Sequence, residues 1–320
     1  MSNSLELSIV IPCYNSAKSL SELNVRLHRA LDSLGVAYEI IYINDCSKDT
    51  TLEELKKLAA TSSKVTVVDI MYNVGQFRAL YCGFENSKGK YIVTIDDDLQ
   101  HPPEEIPKLY NTIKNAKNID AVFGRYESKE HSLFRNVGTA FIKLINEKIY
   151  GKPKNLTMSA FRIMRRELMD TILTHKTISP VLGAIILKST RQIVNVDIQH
   201  NKRKHGTSNY NLIKLIKTTL DNVLNFSSLP LQTISIIGIT VAFISFLFSV
   251  FYFVQYFVAD IDIPGWTSIM VLLNFYAGLI LISLGLIGEY LIRILMEVNG
   301  TPKYKIRQVY NQKDMEKVNV

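Results

Sequence analysis

Three cysteines in 320 residues, Cys13, Cys46 and Cys82, carry no metal-ligand spacing and read as reduced packing residues. No GxGxxG and no GxxxxGK[ST] segment occurs, which argues against a dinucleotide fold or a P-loop ATPase. The net charge of +8 has no nucleic-acid recognition motif beside it, so nucleic acid is not an expected partner. The N-terminus lacks a basic n-region and a long apolar core, so a signal peptide is not expected. Charge itself is missing from two long stretches, 222–259 and 263–288.

Each of those stretches exceeds the ~20 residues needed to cross a bilayer. A buried helical hairpin in a soluble core is the alternative, but such helices rarely run so long without a charge. Two membrane spans are therefore expected, at about 229–258 and 266–292. The link between them holds Asp260 and Asp262 but no Lys or Arg. Lys202, Arg203, Lys204, Lys214 and Lys217 precede the first span, and Arg293, Lys303, Lys305 and Arg307 follow the second. The positive-inside rule then places both termini in the cytoplasm and Trp266 at the outer interface. Basic residues near a bilayer also attract anionic lipid headgroups, which makes membrane lipids expected partners.

Up to about residue 125 the chain alternates β-rich runs (7–11, 39–43, 65–70, 91–95, 121–123) with helical periodicity (19–34, 51–61, 75–86). Such alternation implies an α/β fold with a largely parallel sheet covered on both faces, and ligands at the carboxyl ends of its strands. Amphipathic helices are expected at 132–150 and 209–226, the second leading into the membrane and lying in its interface. The resulting organisation is a cytoplasmic domain at 1–208, an interfacial helix at 209–228, two spans within 229–298 and a cytoplasmic tail at 299–320.

The fourth strand ends in Asp96-Asp97-Asp98-Leu99-Gln100-His101-Pro102-Pro103-Glu104. Three acids closing an apolar run repel one another unless a cation sits among them. At a strand's carboxyl end, that is where an α/β protein presents a hard metal ion to a phosphate. A solvated acidic turn is the plainer reading. Against it, the other strands end in loops that supply matching parts: Pro12-Cys13-Tyr14-Asn15, Asn44-Asp45-Cys46-Ser47 and Tyr72-Asn73-Val74-Gly75.

Together Ile11-Pro12-Cys13-Tyr14-Asn15, the run from Asn44 to Thr50 and the acidic run resemble the family 2 glycosyltransferases of GT-A fold. Arg203-x-x-Gly206-x-Ser208-x-Tyr210, two spans and Gly288-Glu289-Tyr290-Leu291 narrow the resemblance to the polyprenyl-phosphate glycosyltransferases, which include dolichol-phosphate-mannose-synthase-like and undecaprenyl-phosphate sugar transferases. It extends to about Ile306. The resemblance implies an inverting transferase of the cytoplasmic membrane, with a nucleotide-sugar donor, a polyprenyl-phosphate acceptor and Mg²⁺ or Mn²⁺, acting in cell-envelope glycan modification.

By that resemblance Asp98 and Gln100 face the metal, Asp96 faces the metal or the sugar, and Asp97 is left out. Asp45 supplies an acceptor for a base N3–H, beside a wall of Pro12 and Tyr14. A carboxylate there favours uracil over cytosine, without excluding guanine. Gly124-Arg125 stands where the family has its Gly-x-Arg motif, and Arg125, with Asp96 and Asp98, is expected to carry the chemistry. Arg125, Arg203 and Ser208 are expected at the acceptor phosphate, with Arg135 and Thr139, four apart on one helix face. Solvated surface charge is the competing reading for each arginine, and a turn or helix cap for Asp45 and Asp49. Asn73 and Gly75 read as shaping the third loop.

Two positions depart from the family pattern. Ala160 replaces an aspartate sometimes proposed as catalytic base, and Ser16 replaces a common Glu. Because a phosphate nucleophile is already ionised near neutral pH, the first departure reads as a changed substrate contact. Two rivals stand beside the expected transferase. A processive polysaccharide synthase would need a Gln-x-x-Arg-Trp motif, and the only tryptophan is Trp266. A catalytically silent membrane scaffold, or nucleotide-sugar-binding protein, has Ala160 in its favour and the acidic run against it. Gly278, Gly285 and Gly288 could allow a homo-oligomer through the spans.

Overall fold

The computed structural model describes residues 5–126, 152–153, 155–175, 182–199, 229–258, 265–298 and 302–312. The chain divides into two compact units, 1–211 with 301–320, and 212–300. In the first, β1 (Leu7–Cys13), β2 (Tyr38–Asn44), β3 (Val65–Ile70), β4 (Tyr91–Thr94) and β5 (Ala121–Tyr126) alternate with α1 (Ala17–Asp32), α2 (Thr51–Thr61), α3 (Gln76–Asn86) and α4 (Ile106–Asn115). Beyond them come β6 (Arg162–Arg165), α5 (Arg166–Thr174), α6 (Leu182–Ser189), β7 (Ile193–Ile198) and, much later, β8 (Ile306–Tyr310).

One eight-stranded sheet runs β7-β5-β6-β4-β1-β2-β3-β8. Strands β3, β2, β1 and β4 are mutually parallel. All seven residues of β1 are buried, as a strand covered on both faces requires. From α1, the fully buried Leu20, Leu23, Leu27 and Leu31 recur every three or four positions, each worth about 2 kcal/mol of burial.

The sheet is less uniformly parallel than strand-helix alternation alone suggests. β6 lies antiparallel between β4 and β5, and β8 closes the other edge antiparallel to β3. The chain steps outward from β1 to β2 and β3, then returns to place β4 on the other side of β1. That reversal is a topological switch point, and the loops leaving β1 and β4 flank the crevice it opens.

The second unit holds α7 (Leu229–Val258) and α8 (Trp266–Val298). No charged residue occurs in the 30 residues of α7. Within α8, Phe275–Ile292 is long and apolar enough to cross a membrane, with mean hydropathy 1.9 and none of it buried inside the protein; it is the one such stretch among the described residues. The amphipathic helices expected at 132–150 and 209–226 lie outside the described residues.

Candidate active site

Four loops meet at the carboxyl edge, joined by hydrogen bonds. The Tyr14 amide donates to Asp97 Oδ2 (3.3 Å), tying the β1 loop to the β4 loop across the switch point. The Asn15 amide donates to Ser47 Oγ (3.1 Å), and the Lys48 amide donates back to Asn15 Oδ1 (2.8 Å), joining the β1 and β2 loops. Asn15, Cys46 and Leu99 turn through left-handed backbone (φ 54°, 53° and 63°), a conformation that non-glycine residues seldom adopt. Leu99 is nevertheless buried, so its side chain pins the acidic loop to the core while the acids flank it.

Asp45 is almost wholly buried and locks the β3 loop in place. Its carboxylate accepts from the Val74 amide (2.7 Å), the Gly75 amide (2.8 Å) and Asn73 Nδ2 (3.0 Å). Burial raises its pKa, and the two backbone donors draw it back down. With three of about four lone-pair positions engaged, one is left for a ligand. Pro12 is buried, whereas Tyr14 is 45% exposed. Tyr72 and Phe77, on the β3 loop and the first turn of α3, are exposed to a similar degree. Sequence reasoning named Tyr72 only within its loop motif and passed over Phe77; two aromatics bracketing a strand-to-helix loop are the signal that would have found the pair.

The acidic run is held half-buried. Burial, then the charges of Asp98 and Asp97, push the Asp96 carboxyl up to about 7, while Arg162 and a hydrogen bond from Gln76 Nε2 (2.7 Å) oppose the rise. Asp97 is pushed up to about 6, chiefly by burial, against the hydrogen bond from the Tyr14 amide. Asp97, set aside in the sequence reading, is thus the acid that ties the β4 loop to the β1 loop. Asp98 Oδ1 accepts from the Gln100 amide (3.1 Å), folding that segment back on itself.

Arg162 is the counter-charge that sequence reasoning missed. It enters from β6, is buried, donates Nε–H to Thr94 Oγ1 (3.2 Å) and lies 5.5 Å from the Phe123 ring centroid. Burial lowers its pKa to about 10, and Asp96 pulls the other way. An arginine two residues after the noted Ala160 was the available clue. Thr94 Oγ1 donates in turn to the Ala160 carbonyl (2.5 Å), so Ala160 contributes its backbone to the wall of the site.

Arg125 stands at the end of β5 in register with Asp197 of β7. The two form a bidentate pair, Nε to Oδ1 at 2.6 Å and Nη2 to Oδ2 at 3.0 Å, and the guanidinium holds the Asp197 carboxyl below its usual range. Any phosphate bound there must compete with this carboxylate. Gly124 precedes it because a Cβ would lie 2.4 Å from Ile198 Cδ1 and 3.1 Å from the Phe161 ring. Arg135, Thr139, Arg203 and Ser208 lie outside the described residues.

The donor set at the β4 loop suits a hard divalent cation. Asp96, Asp98 and Gln100 offer two carboxylates and an amide oxygen, enough for an ion that keeps several waters. The charges of Asp98 and Asp97 add to burial in raising the Asp96 carboxyl, and a cation held there would relieve that repulsion. No cluster of three or more His, Cys, Asp or Glu side chains forms a ready-made cage among the described residues.

Comparison with known proteins bears on this arrangement. The family model described as glycosyl transferase family 2 matches residues 8–173. The undecaprenyl-phosphate 4-deoxy-4-formamido-L-arabinose transferase of Aeromonas hydrophila is 34% identical over 310 residues, 95% of this chain and 93% of that protein. Its namesake in Edwardsiella ictaluri is 32% identical over 318 residues, covering 97% and 96%. Among solved structures, glucosyl-3-phosphoglycerate synthase from Mycobacterium tuberculosis, in complex with Mn²⁺, UDP and phosphoglyceric acid, shares the fold: TM-score 0.53 and 18% identity, over 69% of this chain and 76% of that one. With its family signature spanning more than half the chain and its likeness to named transferases nearly all of it, this protein belongs to glycosyl transferase family 2 and is a glycosyltransferase of GT-A-like fold.

Proposed function

We propose that the enzyme transfers a sugar from a UDP-linked donor to a polyprenyl phosphate of the undecaprenyl class, at the cytoplasmic face of the inner membrane. The observation that carries this reading is the length of the likeness. Relatives named undecaprenyl-phosphate transferases align over 95% of the chain, apolar helices included, as well as over the sheet domain. UDP as the donor nucleotide is supported by the fold neighbour's complex with UDP and Mn²⁺ and by the free lone-pair position on Asp45 beside the exposed Tyr14. The two long helices are read as a membrane hairpin with both termini cytoplasmic, from the distribution of Lys and Arg about them.

In the proposed reaction an acceptor phosphate oxygen forms a bond to the anomeric carbon as the bond from that carbon to the nucleotide diphosphate breaks. Attack from the face opposite the leaving group inverts the configuration. No proton need be removed, because a phosphate monoester is largely dianionic at pH 7, its second pKa being about 6. Ala160 at the position of a sometimes-proposed base is therefore compatible with turnover. A divalent cation held by Asp96, Asp98 and Gln100 would neutralise charge on the departing diphosphate. Arg125 binds the attacking phosphate in exchange for Asp197, with Arg135, Thr139, Arg203 and Ser208 assigned to the same task from the sequence.

Membranes containing the enzyme, labelled nucleotide-sugar and polyprenyl phosphate provide the test. Asp98→Ala is expected to lower transfer by about 10² or more, as loss of a group stabilising transition-state charge does elsewhere. Wild-type transfer by Asp98→Ala would sink the mechanism.

A further inference from the structure

Strand β8 follows α8 in the sequence by the seven residues 299–305 and pairs with β3, more than 230 positions earlier. Its register is broken at one point: Asp69 faces Gln308 and Ile70 faces Ile306, leaving Arg307 as the extra residue of a bulge. A bulge re-aims the side chain it carries. Here Arg307 Nη1 lies 3.4 Å from Asp69 Oδ2, and Nη2–H donates to the Met71 carbonyl (3.1 Å).

Asp69 is a fully buried carboxylate in a strand whose other buried residues are Val65, Val67, Val68 and Ile70, a position that packing alone would give to an aliphatic residue. Its Oδ1 accepts from Asn44 Nδ2 (2.7 Å), which orients that amide so that Asn44 Oδ1 accepts from the Ser47 amide (3.3 Å). Ser47 Oγ in turn holds Asn15, beside Tyr14. Along the second route, the Met71 amide donates to the Lys305 carbonyl (2.9 Å), so both sides of Met71 are clamped by the β8 segment. From Met71 the chain runs directly into Asn73, Val74 and Gly75 on Asp45, and into Gln76 on Asp96. The same segment is anchored independently: Lys303 Nζ donates to the His175 carbonyl (2.9 Å) and sits 4.3 Å from the Tyr81 ring centroid, and Tyr304 bonds the Glu85 carboxylate.

We infer that Arg307 is a positioning residue for the donor half of the site. By neutralising Asp69 and clamping Met71, it fixes the β2 loop that carries Asp45 and the β3 loop that leads into Gln76, and through Ser47 and Asn15 it reaches the β1 loop beside Tyr14. The strand after the last apolar helix is thereby part of the nucleotide-binding apparatus. The inference rests on the proposed donor reading for its kinetic consequence, not for its geometry.

Removing the guanidinium leaves a buried carboxylate with Asn44 as its remaining partner, a costly arrangement that loosens the loops. Arg307→Gln is expected to raise the donor KM about tenfold and leave the acceptor KM and kcat within about twofold. Arg307→Lys, which keeps the charge but loses the fork, should fall between. Adding Asp69→Asn to Arg307→Gln removes the stranded charge and should recover most of the donor KM. Hydrogen exchange at the Val74 and Gly75 amides, which needs no substrate, is expected to quicken in Arg307→Gln and slow again in the double variant. An unchanged donor KM, a loss shared equally by donor, acceptor and kcat, or unchanged exchange at both amides would overturn the inference. Wild-type inactivity with every donor would instead overturn the functional reading and leave the exchange result to judge Arg307.

Discussion

At the residue scale the site is a problem of unbalanced charge. Asp96, Asp97 and Asp98 stand on consecutive positions, and burial makes their mutual repulsion felt. Arg162 and the amides of Tyr14 and Gln100 offset part of it. Arg125 poses the opposite problem, since its charge is already satisfied by Asp197. If acceptor phosphate binds by displacing that carboxylate, Asp197→Asn should lower the acceptor KM severalfold, roughly threefold, with the donor KM unchanged. Initial rates over a range of acceptor concentrations would check it. An acceptor KM that rises would show that Asp197 serves to aim Arg125 and not to compete for it.

Among the elements, close backbone approach sets the tolerance for change. Gly89 leads into β4, and a Cβ there would lie 2.6 Å from both Leu7 C and Ser8 N of β1. Its amide also donates to Ser8 Oγ (2.7 Å). Gly89→Ala should therefore cost about 3 kcal/mol, toward the upper end for overpacked sites, read as a lower midpoint of thermal unfolding. Gly35→Ala meets no atom within 4 Å but sits at φ 63°, and should cost only about 1 kcal/mol.

Legibility in the sequence followed the same physics. Residues 51–61 and 65–70 were readable to their ends, because helical spacing and a β-branched run each meet a sharp break there. β6 was not, since its four residues begin and end in arginine and carry no alternation. β8 was hidden because it carries little apolar patterning of its own and pairs with a strand encoded before the apolar helices. The acidic run, Asp45 and the four-loop convergence could be read because chemistry-bearing residues closed consecutive apolar strands. Arg162, Asp69 and Arg307 could not: their significance lies in pairings across the sheet that no local window contains.

Over the whole molecule, a sheet domain and two long apolar helices share one chain, with the final strand returning to the first unit after the helices. The proposed topology puts the Asp260–Asp262 link outside and the C-terminal tail inside. In intact cells, Asp260→Cys should react with a membrane-impermeant maleimide, whereas Lys317→Cys should react only after lysis. Labelling of both, or of the tail alone, would reverse or abolish that arrangement. The central claim is that sugar moves onto a lipid phosphate, and mass spectrometry of the lipid fraction tests it most directly. Wild-type membranes would be incubated with polyprenyl phosphate and a panel of nucleotide-sugars, nucleotide-linked 4-deoxy-4-formamido-L-arabinose among them. The expected result is a polyprenyl phosphate heavier by one glycosyl residue with one donor, absent with Asp98→Ala. Free sugar with unmodified lipid across the panel, or a lipid product undiminished in Asp98→Ala, would contradict the account.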